Sequence, residues 1–174
     1  MGLRTLREIM VPIDQYPSVR DTDTLRDAVE VIESAQLEVE LRKSLPRYVL
    51  VFDGIGVLVA YVRRRDIMRG LEPRFLVTRP LEYRDKPFNV AIDPNLAELP
   101  VDHMTKGIRR QSGRRVAEVM RPIEAILRAE DHVMKAISTM VSMDVSLIPV
   151  VDAGELVGVV RSVDVFHEVA KLLE

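Results

Sequence analysis

The sequence predicts a mixed α/β (α+β) fold in which two βαββα repeats pack with pseudo-twofold symmetry, and three internal echoes carry that expectation. Leu6-Arg7-Glu8-Ile9-Met10-Val11-Pro12-Ile13 returns as Val116-Ala117-Glu118-Val119-Met120-Arg121-Pro122-Ile123, keeping Glu, Met, Pro and the last Ile. The turn and helix start from Val19 to Leu25, with Ala28 and Val29 beyond, recur from Leu127 to Val133, with Ala136 and Ile137 beyond. The run Leu58 to Ile67 is answered by Leu156 to Val165, each ending in Asp followed by a β-branched apolar residue. Two copies, each far longer than a solenoid unit, imply a closed pair on a shared core and not an open array. A unit of about 60 residues buries only about 60% of its unfolded surface, so each copy gains stability by packing on the other.

In the first copy a helix is expected to carry Leu25, Ala28, Ile32, Ala35 and Val39 on one stripe. Strands then follow over Tyr48 to Phe52 and Val57 to Val62, around the turn residues Asp53-Gly54-Ile55-Gly56. This copy is longer in its middle than the second, and the surplus, ending at Ser44-Leu45-Pro46, reads as extra helical turns. Such an extension is either a partner surface or a solvated projection. The connection from Glu72 to Arg115 holds Pro73, Pro80, Pro87, Pro94 and Pro100. A structureless stretch of that length is unusual, so part of it is expected to be ordered or to serve as a lid, with Phe75, Leu76, Val77, Phe88, Val90 and Ile92 available to dock.

In the second copy, Val133, Ala136, Ile137, Met140 and Val141 predict a helix beginning near Asp131. Strands over Leu147 to Val151 and Leu156 to Val160 flank Asp152-Ala153-Gly154-Glu155, which suits a tight hairpin. A last helix from about Val165 to Leu173 offers Val165, Phe166, Val169, Ala170 and Leu173 to the core.

The 174 residues are 47% hydrophobic and 30% charged, as in an ordinary soluble globular protein. A net charge of −2, from 25 basic and 27 acidic residues, gives no global case for nucleic acid or an anionic membrane. The absence of cysteine excludes disulfides, zinc ribbons and thiol nucleophiles. Charge interrupts the N-terminus before a signal-like core forms, and no apolar run approaches the roughly 20 residues that cross a bilayer, so the expected location is the cytoplasm. His103, His132 and His167 are scattered without a second ligand at metal spacing, which predicts no metal site. No nucleophile elbow or glycine-rich phosphate loop occurs, so nothing points to catalytic residues or to an enzyme.

The repeated Met-x-Pro opening, the Ala-bearing helix, the strand ending in Phe-Asp or Val-Asp, and the apolar-Gly/Ala-apolar-apolar-x-x-x-Asp close resemble the cystathionine-β-synthase-type (CBS) domain. Two in tandem resemble a Bateman module, here as a first CBS domain over residues 3–72, an inter-repeat segment over 73–113 and a second domain over 114–174. The resemblance implies a homodimer that binds AMP, ADP, ATP or S-adenosylmethionine as a regulatory ligand between its repeats, requires no cofactor, and acts on an unidentified regulated protein. Ligand-free dimerisation or protein docking is the alternative it leaves open, and fold alone does not fix the ligand.

The family's ribose contact falls on Asp66 and Asp164. A carboxylate accepts from both ribose hydroxyls while a helix N-terminus favours phosphate; alternatively, each Asp is a helix cap worth about 1 kcal/mol. Where the family usually has Thr or Ser three positions earlier, this chain has Arg63 and Arg161. Their guanidinium forks either hold phosphate oxygens or pair internally with the Asp. Arg64 and Arg65 extend the basic patch in the first copy, marking it for a multiply charged ligand unless they form a solvated charge run. Ile13, Val51, Ile123 and Val150 are the candidates for an apolar adenine slot, although a place in the core would equally explain them. For the run Arg109 to Arg115, closing over phosphate, touching nucleic acid and acting as a tether are the open roles; without interleaved aromatics, nucleic acid is the weakest.

Overall fold

The computed structural model describes residues 3–35, 37–39, 42–73 and 100–174, and within these the side chains of 37–39 and 42 are not part of the description. The duplicated sequence folds into two four-stranded sheets of matching order. The first copy contributes helix α1 (Leu6–Ile9), β1 (Val11–Pro12), β2 (Ser18–Arg20), α2 (Leu25–Ser34), β3 (Leu37–Val39), β4 (Arg42–Ser44), β5 (Tyr48–Phe52), β6 (Leu58–Arg63) and α3 (Arg64–Leu71). Helix α4 (Val101–Gln111) lies in the connection. The second copy contributes β7 (Arg121–Pro122), β8 (Leu127–Arg128), α5 (Val133–Met143), β9 (Leu147–Asp152), β10 (Glu155–Arg161) and α6 (Ser162–Leu172).

The sheets run β2-β5-β6-β7 and β8-β9-β10-β1, so each copy's opening strand completes the sheet of the other. Pro12 lies opposite Gly158 and Pro122 opposite Ala60. Proline lacks the N–H that would extend the ladder, which is why both Met-x-Pro segments form two-residue edge strands. Alternation along the inner strands divides the apolar residues among three cores. Val49, Val51, Ala60 and Val62 face α2 and α3 beside Ala28, Ile32 and Ile67. Ile148, Val150 and Val160 face α5 and α6 beside Val133, Ala136 and Val165, with Leu6 and Ile9 of the first copy added. Between the sheets lie Val11, Tyr16, Leu50, Tyr61, Leu147 and Val159.

Helix α2 starts at a reciprocal cap: the Thr24 hydroxyl accepts from the Asp27 N–H at 3.3 Å, and Asp27 accepts from the Thr24 N–H at 2.8 Å. It ends at Ser34, and the predicted helical extension is instead the antiparallel hairpin β3–β4, with Leu37 opposite Ser44 and Val39 opposite Arg42. Leu37-Glu38-Val39-Glu40-Leu41 alternates with period two, a strand signal that outweighs helix-compatible composition. The β9–β10 hairpin turns as expected, through Ala153 and Gly154 at φ 48 and 85.

Two apolar stripes need correction. In α5, Val133, Ala136 and Met140 are buried, whereas Val141 is exposed. Helix α6 begins at Ser162 and turns Asp164, Val165 and Glu168 inward, leaving Phe166 and Leu173 exposed by 74% and 83%. Ion pairs set that rotation: Asp164 is held by Arg161, and Glu168 by Arg4 at 3.0 Å.

Within the connection, the described residues form α4; the docking residues proposed from Phe75 to Ile92 lie outside the described residues. The basic run has a structural role at its end. Backbone N–H groups of Leu25 and Arg26 donate to the carbonyls of Arg114 and Ser112, and the Arg114 side chain reaches Glu118 and the Gly70 carbonyl.

Candidate functional site

Each copy builds the same junction, in which the last strand runs straight into a helix. The Arg64 N–H donates to the Arg47 carbonyl at 3.0 Å, and the Ser162 N–H to the Ser146 carbonyl at 2.9 Å. Asp66 and Asp164 are the third residues of α3 and α6, inside the first turn and not ahead of it. From there each carboxylate reaches back to the backbone N–H of Arg63 or Arg161, at 3.2 Å in both copies. That is the acidic half of a capping box.

The arginines in place of Thr or Ser close on these carboxylates. Arg63 donates to Asp66 through Nε at 2.7 Å and Nη2 at 2.9 Å. Arg161 donates to Asp164 through Nε at 2.7 Å and Nη2 at 2.6 Å, while its Nη1 donates to Ser44 Oγ at 2.8 Å. Of the two roles open to these guanidiniums, the structure shows internal pairing. The copies differ in one respect: Asp66 also accepts from Arg121 Nε at 3.0 Å, and the duplicated position there is Val11. Asp66 is only 2% exposed and Asp164 8%. Burial alone would raise the Asp66 carboxyl, but hydrogen bonds from Arg63 and Arg121 outweigh it and bring the pKa down to about 2.

Where the two junctions face each other, a cleft of about 640 Å³ opens between the repeats, lined by Tyr16, Ser44, Tyr48, Arg47, Arg64, Ser146, Arg161, Ser162 and Phe166 among others. Its size suits a small-molecule ligand. The Tyr16 hydroxyl donates to the Tyr48 carbonyl at 3.0 Å, and burial pushes its phenol pKa up, so it stays neutral. A smaller groove of about 380 Å³ runs past Asp66, Arg69, Arg114, Glu118 and Arg121.

The basic patch predicted in the first copy is therefore divided. Arg64 turns to the inter-repeat cleft, Arg63 to Asp66, and Arg65 lines a groove between α3 and α4 with Met68, Leu71 and Ile108. Of the four residues proposed for an adenine slot, Ile13 and Ile123 pack at the edge of the inter-sheet core. Val51 and Val150 are fully buried against the helices on the far faces of their sheets, so neither lines a crevice between the repeats. Sequence reasoning did not single out Arg47, Tyr16 or Arg121. Aligning the two copies position by position sets Arg121 against Val11, and Arg47 against Ser146, two of the positions where a charge is present in one copy only.

Among the described residues, no cluster of His, Asp or Glu could hold a metal ion, and no helix is long and apolar enough to cross a membrane.

The family profile described as CBS domain matches residues 6–73 and 116–171. Similar solved structures include a CBS domain-containing protein of unknown function from Kribbella flavida, at 18% identity and a TM-score of 0.66, covering 96% of this chain and 98% of that one. The CBS-pair protein CBSX2 from Arabidopsis thaliana matches at 18% identity and 0.61, covering 99% and 98%; a structure of CBSX2 in complex with AMP matches at 19% and 0.60, covering 99% and 100%. The CBS domain of a bacterial CNNM/CorC family Mg2+ transporter in complex with ATP matches at 17% and 0.61, covering 95% and 87%. At these identities the likeness is one of fold. A search of curated proteins finds no match.

Proposed function

The chain belongs to the CBS-domain family, and we propose that it works as a cytoplasmic regulatory module, not a catalyst, that takes an adenine nucleotide or adenosyl ligand in the cleft between its two repeats. The observation that carries this reading is the 640 Å³ cleft, which gathers three arginines and five hydroxyl-bearing side chains and has no carboxylate among its described lining residues. Relatives of the same fold hold AMP and ATP. A ligand that spans both junctions binds best at one relative setting of the repeats, and a bound partner would read that setting.

The module is further proposed to act as a homodimer. Helices α5 and α6 leave Met134, Val141, Met143 and Leu172 exposed, an apolar surface that a second copy would cover. Thermal melting of the full chain with AMP, ADP, ATP and S-adenosylmethionine, with mass measured by light scattering on the same samples, tests both parts. A ligand at about 100 times its dissociation constant adds about 2.7 kcal/mol. Flat curves with all four ligands and a dimeric mass would leave the ligand-free dimerisation reading in its place.

A further inference from the structure

We propose that the inter-repeat cleft recognises its ligand by a phosphate chain and not by its sugar, so that it is a site for polyphosphate anions in general. This rests on the reading that the cleft is the ligand site, and it departs from a ribose-centred contact at Asp66 and Asp164. Both oxygens of each carboxylate are already engaged by guanidinium nitrogens, at 2.6 to 3.0 Å, and both residues are buried. Asp66 accepts four bonds, so a ribose hydroxyl could take one of its oxygens only by displacing a guanidinium or a capping N–H, and Asp164 accepts three, leaving a single acceptor position on a carboxylate that is 8% exposed.

Two of the three cleft cations are in the opposite condition. Arg47 and Arg64 are exposed, line the cleft, and make no ion pair among the described residues. They sit at one junction, joined by the backbone bond from Arg64 N–H to the Arg47 carbonyl. Across the pseudo-twofold axis the matching positions are Ser146 and Ser162, which offer hydroxyl donors without charge. The anion therefore sits nearer the first copy, its phosphate oxygens on two guanidinium forks and its far end toward the serines. One such chain occupies the axis, giving one ligand per polypeptide.

Calorimetry on the full chain with sodium tripolyphosphate, ATP, GTP, AMP and adenosine tests this. Tripolyphosphate, ATP and GTP are expected to bind within about tenfold of one another, AMP more weakly, and adenosine not at all. Each of Arg47→Gln and Arg64→Gln removes an exposed side chain without disturbing a core, and each is expected to weaken ATP and tripolyphosphate alike by roughly tenfold, the worth of a charged hydrogen bond. Binding of ATP and AMP with no binding of tripolyphosphate, or equal binding of adenosine, overturns phosphate-centred recognition and leaves the nucleotide site standing. No binding by any of the five overturns both.

Discussion

Asp66 is the residue on which most charge converges. Arg63 and Arg121 both donate to it, and Arg69 approaches to 3.9 Å. Removing one member of a buried pair leaves the other uncompensated, though here the guanidiniums are partly open to solvent and recover some hydration. Asp66→Asn is therefore expected to destabilise the fold at pH 7 by about 1–2 kcal/mol. The folded pKa is depressed, from the ordinary 3.8 to about 2, so the contribution is complete above the unfolded value and is lost as pH falls through the folded one. Urea unfolding of both forms between pH 2 and 7 should show their difference constant down to about pH 5 and then shrinking toward pH 2. A difference that stays constant through that window would mean that the carboxylate is not held by its arginines.

At the scale of elements, the tightest constraint lies where β1 crosses β10. A Cβ added to Gly158 would stand 2.5 Å from the Val11 carbonyl oxygen and 2.9 Å from Met10 Sδ. The thioether can move, but the strand backbone cannot without breaking the β1 pairing. Ala60, which faces Pro122 in the other sheet, carries its Cβ in the core without such an encounter. Gly158→Ala should accordingly cost about 1–3 kcal/mol, read as a lowered denaturant midpoint, while Ala60→Gly should cost no more than about 1 kcal/mol. Equal midpoints for Gly158→Ala and the parent would show that β1 is not seated as described. These elements also show what the sequence made legible. The strands β5, β6, β9 and β10 announce themselves because β-branched runs bounded by Asp and Gly have one physical solution. The hairpin β3–β4 and the rotation of α6 did not, for opposite reasons: Leu37 to Leu41 fits two periods at once, and α6 is oriented by ion pairs to Arg4 and Arg161 that no local periodicity encodes. The cleft was legible in Arg64 and Arg161, which stand in the echoed runs that lead to Asp66 and Asp164, but not in Arg47, which lies between β4 and β5 outside those runs.

Over the whole molecule, the exchange of opening segments makes each copy depend on the other. Leu6 N–H donates to the Asp131 carbonyl and Arg7 N–H to that of Ala129, seating α1 on the second copy. In return Val116 N–H donates to the Asp23 carbonyl and Leu25 N–H to that of Arg114. The side chains follow the same rule, with Leu6 fully buried among Leu127, Val133 and Ile148, and Val116 among Val19, Ala28 and Ile67. Neither half can lose its fold without exposing the other's core. Leu6→Ala should therefore cost about 2–5 kcal/mol, the usual range for a buried leucine. Although the cavity lies in the second copy, the loss is expected to be shared. Tyrosine signals from Tyr16, Tyr48 and Tyr61 at the inter-sheet core should melt together with far-ultraviolet circular dichroism, in one transition at a lower temperature. Two separate transitions, with the tyrosine signal surviving the first, would show that the copies unfold independently and that the exchanged segments are only loosely clasped. The same coupling supports the proposed function: a ligand on the pseudo-twofold axis touches both junctions, and two halves that share their sheets respond to it as one body.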